Sequence, residues 1–184
     1  MSNVVIVGDG PGGLSAALFL AKNGIEVTVY GDDKTAMHYA FLYNYLGIKA
    51  MSGSDFQKIS REQVSELGAD LRNMRVEQVV KDGDNFVVTI DNKQAQTANY
   101  VILAEGKGAR FAKAMGITVN DTGVEVDRNG RSSIDGLYVV GQSTKFQRTQ
   151  AIISAGEGAS TALDILSLEK GKDFCDFDTP PKEE

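Results

Sequence analysis

The sequence predicts an α/β fold in which helices flank a parallel central sheet and a small antiparallel meander is added to it. Residues 4–7 form an apolar run typical of a strand buried on both faces, a helical pattern covers 14–22, and a second apolar run covers 27–30. Asn23-Gly24 ends the helix where glycine is favoured. A strand, a helix and a parallel strand are therefore joined by short links.

A capped helix is predicted in the next part of the chain. Ser54 is the expected N-cap of a helix over 55–67, which Gly68 ends. Its expected buried positions are Phe56, Ile59, Val64 and Leu67.

The antiparallel meander is predicted from tight-turn residues between apolar runs. Asp82-Gly83 separates strands at 76–80 and 86–90, and Asp91-Asn92 follows as a further turn. The remaining predicted elements are a parallel strand at 100–104, a short helix near 111–115, a strand at 137–140 and a long final helix from about 151 to 168.

Length and composition favour a single domain. The chain has 184 residues and a hydrophobic content of 42%, enough for one well-formed core and too little for two large ones. We assign residues 1–172 to this domain. Residues 173–184 are polar, contain Pro180-Pro181 and are expected to form a loosely ordered tail.

Charge and residue counts exclude several classes of function. The net charge of −6, without a basic cluster, argues against binding to nucleic acid or to anionic membranes. No signal peptide or membrane-spanning run is visible, so we expect a cytoplasmic protein. With Cys175 as the sole cysteine and His38 as the sole histidine, the sequence offers no intrachain disulfide, Cys-x-x-Cys pair or metal cluster.

A glycine loop follows the first strand. Gly8, Gly10 and Gly13 have the spacing in which the first glycine allows a tight turn, the second lets a pyrophosphate approach and the third lets helix and strand pack closely. The following helix N-terminus would offer free N–H groups to the phosphates. The loop therefore predicts a dinucleotide site; the alternative is a glycine turn that binds nothing.

The ribose-binding carboxylate expected at the end of the second strand is displaced. Gly31 stands in its place, so Asp32, Asp33 or backbone groups would have to reach the ribose; alternatively, both aspartates are solvated turn residues. Asp9 lies inside the glycine loop and should weaken pyrophosphate binding unless its carboxylate points away.

Four ordered motifs carry a family resemblance. They are 8–17, 43–47 (Tyr-Asn-Tyr-Leu-Gly), 100–106, and the C-terminal pair of segments 136–142 and 148–159. The chain resembles the FAD-binding domain of thioredoxin reductases, most closely their short single-domain relatives. The resemblance implies a Rossmann-like FAD-binding domain and FAD as the cofactor.

The domain that carries the dithiol in that family has no counterpart here. The chain passes from Gly106 to Thr118 in about a dozen residues, without a second glycine loop or a cysteine pair. The resemblance therefore implies a single FAD domain that lacks the NADPH domain and the Cys-x-x-Cys.

The resemblance also implies where FAD is held. The glycine loop would bind the pyrophosphate, Asn44 would lie near the ribityl chain or the flavin ring, and the start of the last helix would lie beside the flavin. Gln142 replaces the family's aspartate, which removes a charge and keeps hydrogen-bonding capacity. The expected cofactor-binding residues are Gly8, Gly10, Pro11, Gly12, Gly13, Gly31, Asp32, Asn44, Ala104, Glu105, Gly106, Gly141, Gln142, Gln150 and Ala151.

Other polar and aromatic residues have two interpretations each. Tyr39, Phe41, Tyr43 and Tyr45 either shield one flavin face or pack a loop onto the sheet. His38 is either a proton donor or a structural residue without a partner at recognisable spacing.

Three functions compete at this point. The first is a FAD-dependent oxidoreductase or electron-transfer component that exchanges electrons with NAD(P)H or a redox protein. The second is a noncatalytic FAD-binding module whose NAD(P)H domain comes from a partner, with homodimerisation as another way to cover the exposed surface. The third has NAD at the glycine loop and no flavin. No catalytic residue is identified.

Overall fold

The computed structural model describes residues 2–91 and 94–180, and its central layer is a five-stranded parallel sheet. Strand order in this sheet is β10-β9-β1-β2-β5. Strands β6, β7 and β8 form a separate antiparallel meander, and β3 pairs with β4. The strands are β1 Asn3–Val7, β2 Glu26–Tyr30, β3 Phe41–Leu42, β4 Met51–Ser52, β5 Asp70–Arg72, β6 Val76–Asp82, β7 Asn85–Ile90, β8 Gln94–Ala98, β9 Tyr100–Leu103 and β10 Leu137–Val139.

Four α-helices accompany these strands in the part of the chain that the structure describes. They are α1 Pro11–Lys22, α2 Gly53–Glu66, α3 Arg110–Ala114 and α4 Ala151–Lys170. Short 3₁₀ helices cover Ala36–Tyr39, Gly106–Gly108 and Gly141–Ser143. The predicted fold class, a parallel sheet with flanking helices and a small antiparallel meander, is confirmed.

The central sheet is buried on both faces because its strands alternate between two cores. Val4 and Ile6 of β1 pack in the core that also holds Leu14 and Leu20 of α1 and Ile165 of α4. The alternate residues of β1, Val5 and Val7, face the core on the other side of the sheet. There they pack with Phe86 and Val88 of the meander and with Phe111 of α3.

The predicted details of α2 differ from the structure. The N-cap is Ser52 rather than Ser54: its hydroxyl oxygen accepts the Asp55 N–H at 3.0 Å, and the helix begins at Gly53. Ile59 and Leu67 are exposed, whereas Val64 is buried as expected. The buried face runs through Gly53, Gln57 and Val64, since these positions recur at helical spacing on one side of α2.

The chain after α4 lacks helix and strand through residue 180. Its contacts with the domain include two polar ones: the Phe174 N–H donates to the Ser167 hydroxyl at 3.0 Å, and Lys22 pairs with Asp176 at 2.9 Å. The predicted loosely ordered tail and domain boundary stay predictions, and residues 181–184 lie outside the described part. The predicted turn at Asp91-Asn92 likewise falls partly outside it. None of the helices in the described ranges combines the length and the apolar character that spanning a bilayer requires.

Candidate FAD-binding site

A cavity of about 650 Å³ opens at the carboxyl edge of the central sheet. Its walls come from the segments that follow β1, β2, β9 and β10 and from the first turn of α4. Ligands of open α/β sheets bind at this edge, and the volume is typical of cofactor sites. All the predicted cofactor-binding residues except Gly13 line the cavity: Gly8, Gly10, Pro11, Gly12, Gly31, Asp32, Asn44, Ala104, Glu105, Gly106, Gly141, Gln142, Gln150 and Ala151.

The three glycines of the loop have different structural roles. Gly8 has φ +107°, and a Cβ there would come within 3.0 Å of the Ala104 carbonyl oxygen. A Cβ on Gly13 would meet the Gly8 carbonyl oxygen in the same way, so Gly13 shapes the loop from behind the cavity. Gly10 has φ −75°, and a Cβ there would meet no protein atom within 4 Å. Gly10 is therefore the glycine that leaves its cavity side open to a ligand.

Two helix N-termini converge on the cavity. Gly10 is the N-cap of α1 and Gln150 is the N-cap of α4, and neither end has a side-chain cap or an acidic residue in its first turn. Their first-turn N–H groups carry partial positive charge. Gly12 of α1 and Gly158 of α4 hold the two helices in close contact, because a Cβ on Gly158 would come within 3.0 Å of the Gly12 carbonyl carbon. This packing fixes the separation of the two N-termini.

The polar groups near α4 form a small network. The Asn44 side-chain amide donates to the Gln150 side-chain oxygen at 3.0 Å. The Glu157 carboxylate accepts a hydrogen bond from the backbone N–H of Gly141 at 2.7 Å. This contact fixes the turn that presents Gln142 to the cavity. Among the described residues, the Gln142 side chain has no hydrogen-bond partner, so its amide is available to a ligand.

Glu105 lines the cavity, but its carboxylate is used elsewhere. Its two oxygens accept the backbone N–H groups of Phe111 at 2.8 Å and Ala112 at 3.0 Å, at the start of α3. A carboxylate at this end of a helix satisfies free N–H groups and suits the helix dipole. The structure therefore gives the Glu105 side chain a capping contact, and only its backbone remains for the cofactor.

We expect Glu105→Ala to lower the free energy of unfolding by about 1–2 kcal/mol, because two N–H groups of α3 lose their acceptor. FAD affinity should change less than about threefold, since the carboxylate points toward α3. Urea unfolding and FAD titration measure the two quantities. A large loss of FAD affinity in a variant of unchanged stability would contradict the capping role.

Asp9 is buried beside Gly31, with 4% of its surface exposed. Its carboxylate pairs with Arg61, and its Oδ2 accepts the Asp33 N–H at 3.1 Å. Burial raises the pKa of the Asp9 carboxyl, and the Arg61 charge opposes this rise only in part. Arg61 is itself held by the Asn73 side-chain oxygen at 2.8 Å. The charge that should repel a pyrophosphate is thus compensated from α2.

The two aspartates after Gly31 separate in space. Asp32 lines the cavity and pairs with Lys34 at 3.2 Å and Arg75 at 3.8 Å. Partial burial acts to raise the pKa of Asp32, but these two cations lower it overall. Asp33 lies outside the cavity with φ +55°, and its carboxylate is 3.1 Å from the His38 ring.

His38 and most of the aromatic stretch have structural contacts. The second His38 ring nitrogen is 3.1 Å from the Ser54 hydroxyl, and His38 does not line the cavity. Tyr45 packs on Phe56 of α2, with ring centroids 5.3 Å apart. Phe41 lines the cavity, and its ring packs against the exposed ring of Tyr43 with 4.7 Å between the ring centroids. Phe41 is therefore the aromatic residue of this stretch that is placed to meet a ligand.

Several residues that line the cavity were not predicted from the sequence. Arg75 lines the cavity because strand β5 carries the chain to the edge of the sheet beside β2, and β5 was not predicted. Lys34 could have been found from its place two residues after Asp32. The other polar lining residues that were missed are Thr35, Arg110, Thr149 and Ser154.

Comparison with known proteins places these features in a family. Residues 2–109 and 47–158 match the sequence model described as pyridine nucleotide-disulphide oxidoreductase. A ferredoxin–NADP reductase of Lactococcus lactis subsp. lactis is 27% identical over 91% of this chain and 52% of its own length. A thioredoxin reductase of Helicobacter pylori is 31% identical over 58% of this chain and 36% of its own length. The chain spans about half the length of the first of these relatives and about a third of the second.

Solved structures give the same fold. The atypical thioredoxin reductase TRi of Desulfovibrio vulgaris Hildenborough superposes with a TM-score of 0.85 at 18% identity, over 93% of this chain and 99% of that chain. A thioredoxin reductase from Gloeobacter violaceus gives 0.86 at 16% identity, over 97% and 99%. The resemblance to the FAD-binding domain of thioredoxin reductases, and FAD as the cofactor, are confirmed by the sequence and structure matches together.

Proposed function

Because the chain belongs to the pyridine nucleotide-disulphide oxidoreductase family, we propose that it is a FAD-dependent oxidoreductase or electron-transfer component. The observation that carries the proposal is the convergence of two uncapped helix N-termini, those of α1 and α4, on one cavity. Bound FAD would supply the capacity to accept and pass on electrons. The residues of the chain would bind and orient it.

The α1 end of the cavity suits the pyrophosphate. Gly10 leaves room for phosphate oxygens to approach the backbone, and the N–H groups at the start of α1 point along the helix axis toward them. Pro11 has no N–H to contribute, and its fixed φ suits the first helical position. Gly12 lies at the same helix end, next to α4.

The α4 end suits the flavin. The N–H groups of its first turn, from Ala151 onward, would stabilise negative charge on the reduced ring, which favours electron acceptance. Asn44 and Gln150 hold each other in place there, and the Gln142 amide is free to bind the ribityl hydroxyls or the phosphate. Ala104 and Gly106 would contribute backbone contacts.

The electron route does not use a dithiol of this chain. Cys175 is exposed and lies outside the cavity. Electrons would enter from NAD(P)H or from a redox protein and leave to a soluble acceptor. Relatives named for ferredoxin, NADP and thioredoxin support a redox partner of one of these kinds.

A second candidate function is a FAD-binding module that receives its NAD(P)H domain from another chain. It is favoured by exposed apolar side chains in the segment that also supplies cavity-lining residues such as Phe41 and Asn44: Tyr39 is 95% exposed, Leu46 89% and Tyr43 76%. Several exposed apolar side chains in one segment are typical of a surface that a partner covers. A second copy of this chain could cover it as well.

The visible spectrum of protein purified without added cofactor tests the function first. We expect a flavin spectrum, or its appearance after FAD is added and the excess removed. Anaerobic NADH or NADPH should then bleach it within seconds if hydride is accepted directly.

The other outcomes are equally decisive. A flavin spectrum that dithionite bleaches but neither nucleotide does would overturn direct hydride transfer and support the partner-dependent module. Protein that stays colourless and fails to bind added FAD would overturn both functions.

A further inference from the structure

In other dinucleotide-binding folds, a ribose-binding side chain stands at the end of β2. In this chain, the side chain of Asp9 from the glycine loop occupies that space. A Cβ built on Gly31 would lie within 3.0 Å of the Asp9 carboxylate carbon and 2.5 Å from its Oδ1. Gly31 does not have positive φ, so its backbone alone would accept other residues. The absence of a side chain at position 31 therefore makes room for the carboxylate of Asp9.

The two oxygens of Asp9 have different surroundings. Oδ2 accepts from Arg61 and from the Asp33 N–H at 3.1 Å. Oδ1 accepts no hydrogen bond from any other described residue, and it is not among their fully buried unpaired atoms. Asp9 and Gly31 both line the cavity. Oδ2 therefore anchors the carboxylate, whereas Oδ1 lies on the side where Gly31 has no side chain.

The surroundings of Asp9 also make a carboxylate tolerable next to phosphates. Arg61 reaches it from α2, 52 residues away in the chain, and Asn73 holds the same guanidinium. Gln57 of α2 donates to the Asp9 carbonyl oxygen at 2.6 Å, which fixes the backbone of the loop at this point. The carboxylate is thus oriented by Arg61 and the Asp33 N–H, the backbone behind it is held by Gln57, and Oδ1 remains as an accepting oxygen.

We propose that Asp9 Oδ1 accepts hydrogen bonds from the adenosine ribose hydroxyls of FAD, in place of a side chain at the end of β2. In open α/β folds that bind dinucleotides, an acidic side chain near the end of the second strand holds these hydroxyls. Here the same chemistry comes from the second residue of the glycine loop. This inference rests on the proposed function in requiring that the cavity bind FAD.

Asp32 is the competing residue. It also lines the cavity, but its Oδ2 is paired with Lys34 and Arg75, two cations on the solvent side of the site. With 32% of its side chain exposed, Asp32 is much more accessible to water than Asp9, at 5%. Asp32→Asn therefore tests the competing assignment directly.

The test compares ADP with 2′,3′-dideoxy-ADP as competitors that displace FAD, read by flavin fluorescence. In the wild-type protein, loss of both hydroxyls should weaken competition by about tenfold or more, since charge-assisted hydrogen bonds are lost. In Asp9→Gly the ratio of the two affinities should fall to about two or less, and in Asp9→Asn it should be intermediate, because an amide oxygen still accepts. Asp32→Asn should keep the wild-type ratio.

A relocation variant guards against loss of folding. Gly31→Asp in the Asp9→Gly background removes the clash at position 31 and returns a carboxylate to the end of β2, so the ratio should recover to about tenfold. Recovery would show that the site needs a carboxylate at this place rather than the residue Asp9 itself.

The outcomes separate the inference from the function on which it rests. A wild-type protein that binds neither FAD nor ADP would overturn the proposed function. Three other outcomes would overturn the assignment to Asp9 but leave the proposed function intact. The wild-type protein would bind FAD but show an affinity ratio near one, the ratio would stay unchanged in Asp9→Gly, or the ratio would be lost in Asp32→Asn. If Asp9→Gly does not fold, Asp9→Asn and the relocation variant decide by the same ratio.

Discussion

Gly158→Ala is expected to lower the free energy of unfolding by about 2–3 kcal/mol, although alanine is the better helix former. A Cβ at position 158 would come within 3.0 Å of the Gly12 carbonyl carbon, and backbone cannot rotate away as a side-chain end can. Helices α1 and α4 would have to move apart. Since their N-termini define the cavity, FAD affinity should fall together with stability.

Gly156→Ala supplies the matched control, two residues earlier in the same helix. A Cβ there would meet nothing within 4 Å, and we expect it to stabilise the protein by about 0.5–1 kcal/mol. Urea unfolding monitored by circular dichroism measures both variants. Equal stabilities for Gly158→Ala and Gly156→Ala would refute close backbone packing of α1 on α4.

The second large effect is expected in the glycine loop. Gly8→Ala should destabilise the protein by about 2–4 kcal/mol, because alanine is strained at φ +107° and its Cβ would overlap the Ala104 carbonyl oxygen. The loop and the end of β9 would separate. Protein purified from this variant should lack the flavin spectrum.

Gly10→Ala should separate cofactor binding from folding. Its φ of −75° suits alanine and its Cβ would meet no protein atom, so stability should stay within about 0.5 kcal/mol of the wild type. FAD affinity should nevertheless fall about tenfold or more, since the methyl group lies where the pyrophosphate approaches. Fluorescence titration with FAD measures it. Unchanged affinity in Gly10→Ala would mean that the cofactor does not contact this glycine.

The elements predicted correctly are those whose signals are local. Strand β1 is a continuous apolar run and α1 begins directly at the glycine loop, so the strand–helix–strand unit depends on residues close in sequence. Strand β5 was missed because Asp70–Arg72 has no apolar pattern of its own. It is a strand through pairing with β2. The meander was predicted from its turn, while β8 was not separately recognised.

The cap and buried face of α2 show the same limit. The prediction of Ser54 as the N-cap was wrong because the capping propensity of serine applies equally to Ser52, two residues earlier. Position 53 requires a glycine because a side chain there would overlap the Met37 carbonyl oxygen, a contact made by a distant turn, and this places the start of the helix after Ser52. Gln57 is fully buried through its hydrogen bond to Asp9, whereas the more apolar Ile59 is half-exposed.

By itself, the sequence determined the fold class and the glycine loop, because these follow from short-range apolar runs and turn residues, and the family resemblance indicated most of the other segments that meet at the cavity. Only the tertiary structure decided what the charged groups do. Arg61 reaches Asp9 across 52 residues, and Glu105 turns from the cavity to cap α3. Side-chain direction and charge pairing depend on which distant elements pack together, and no local pattern specifies that.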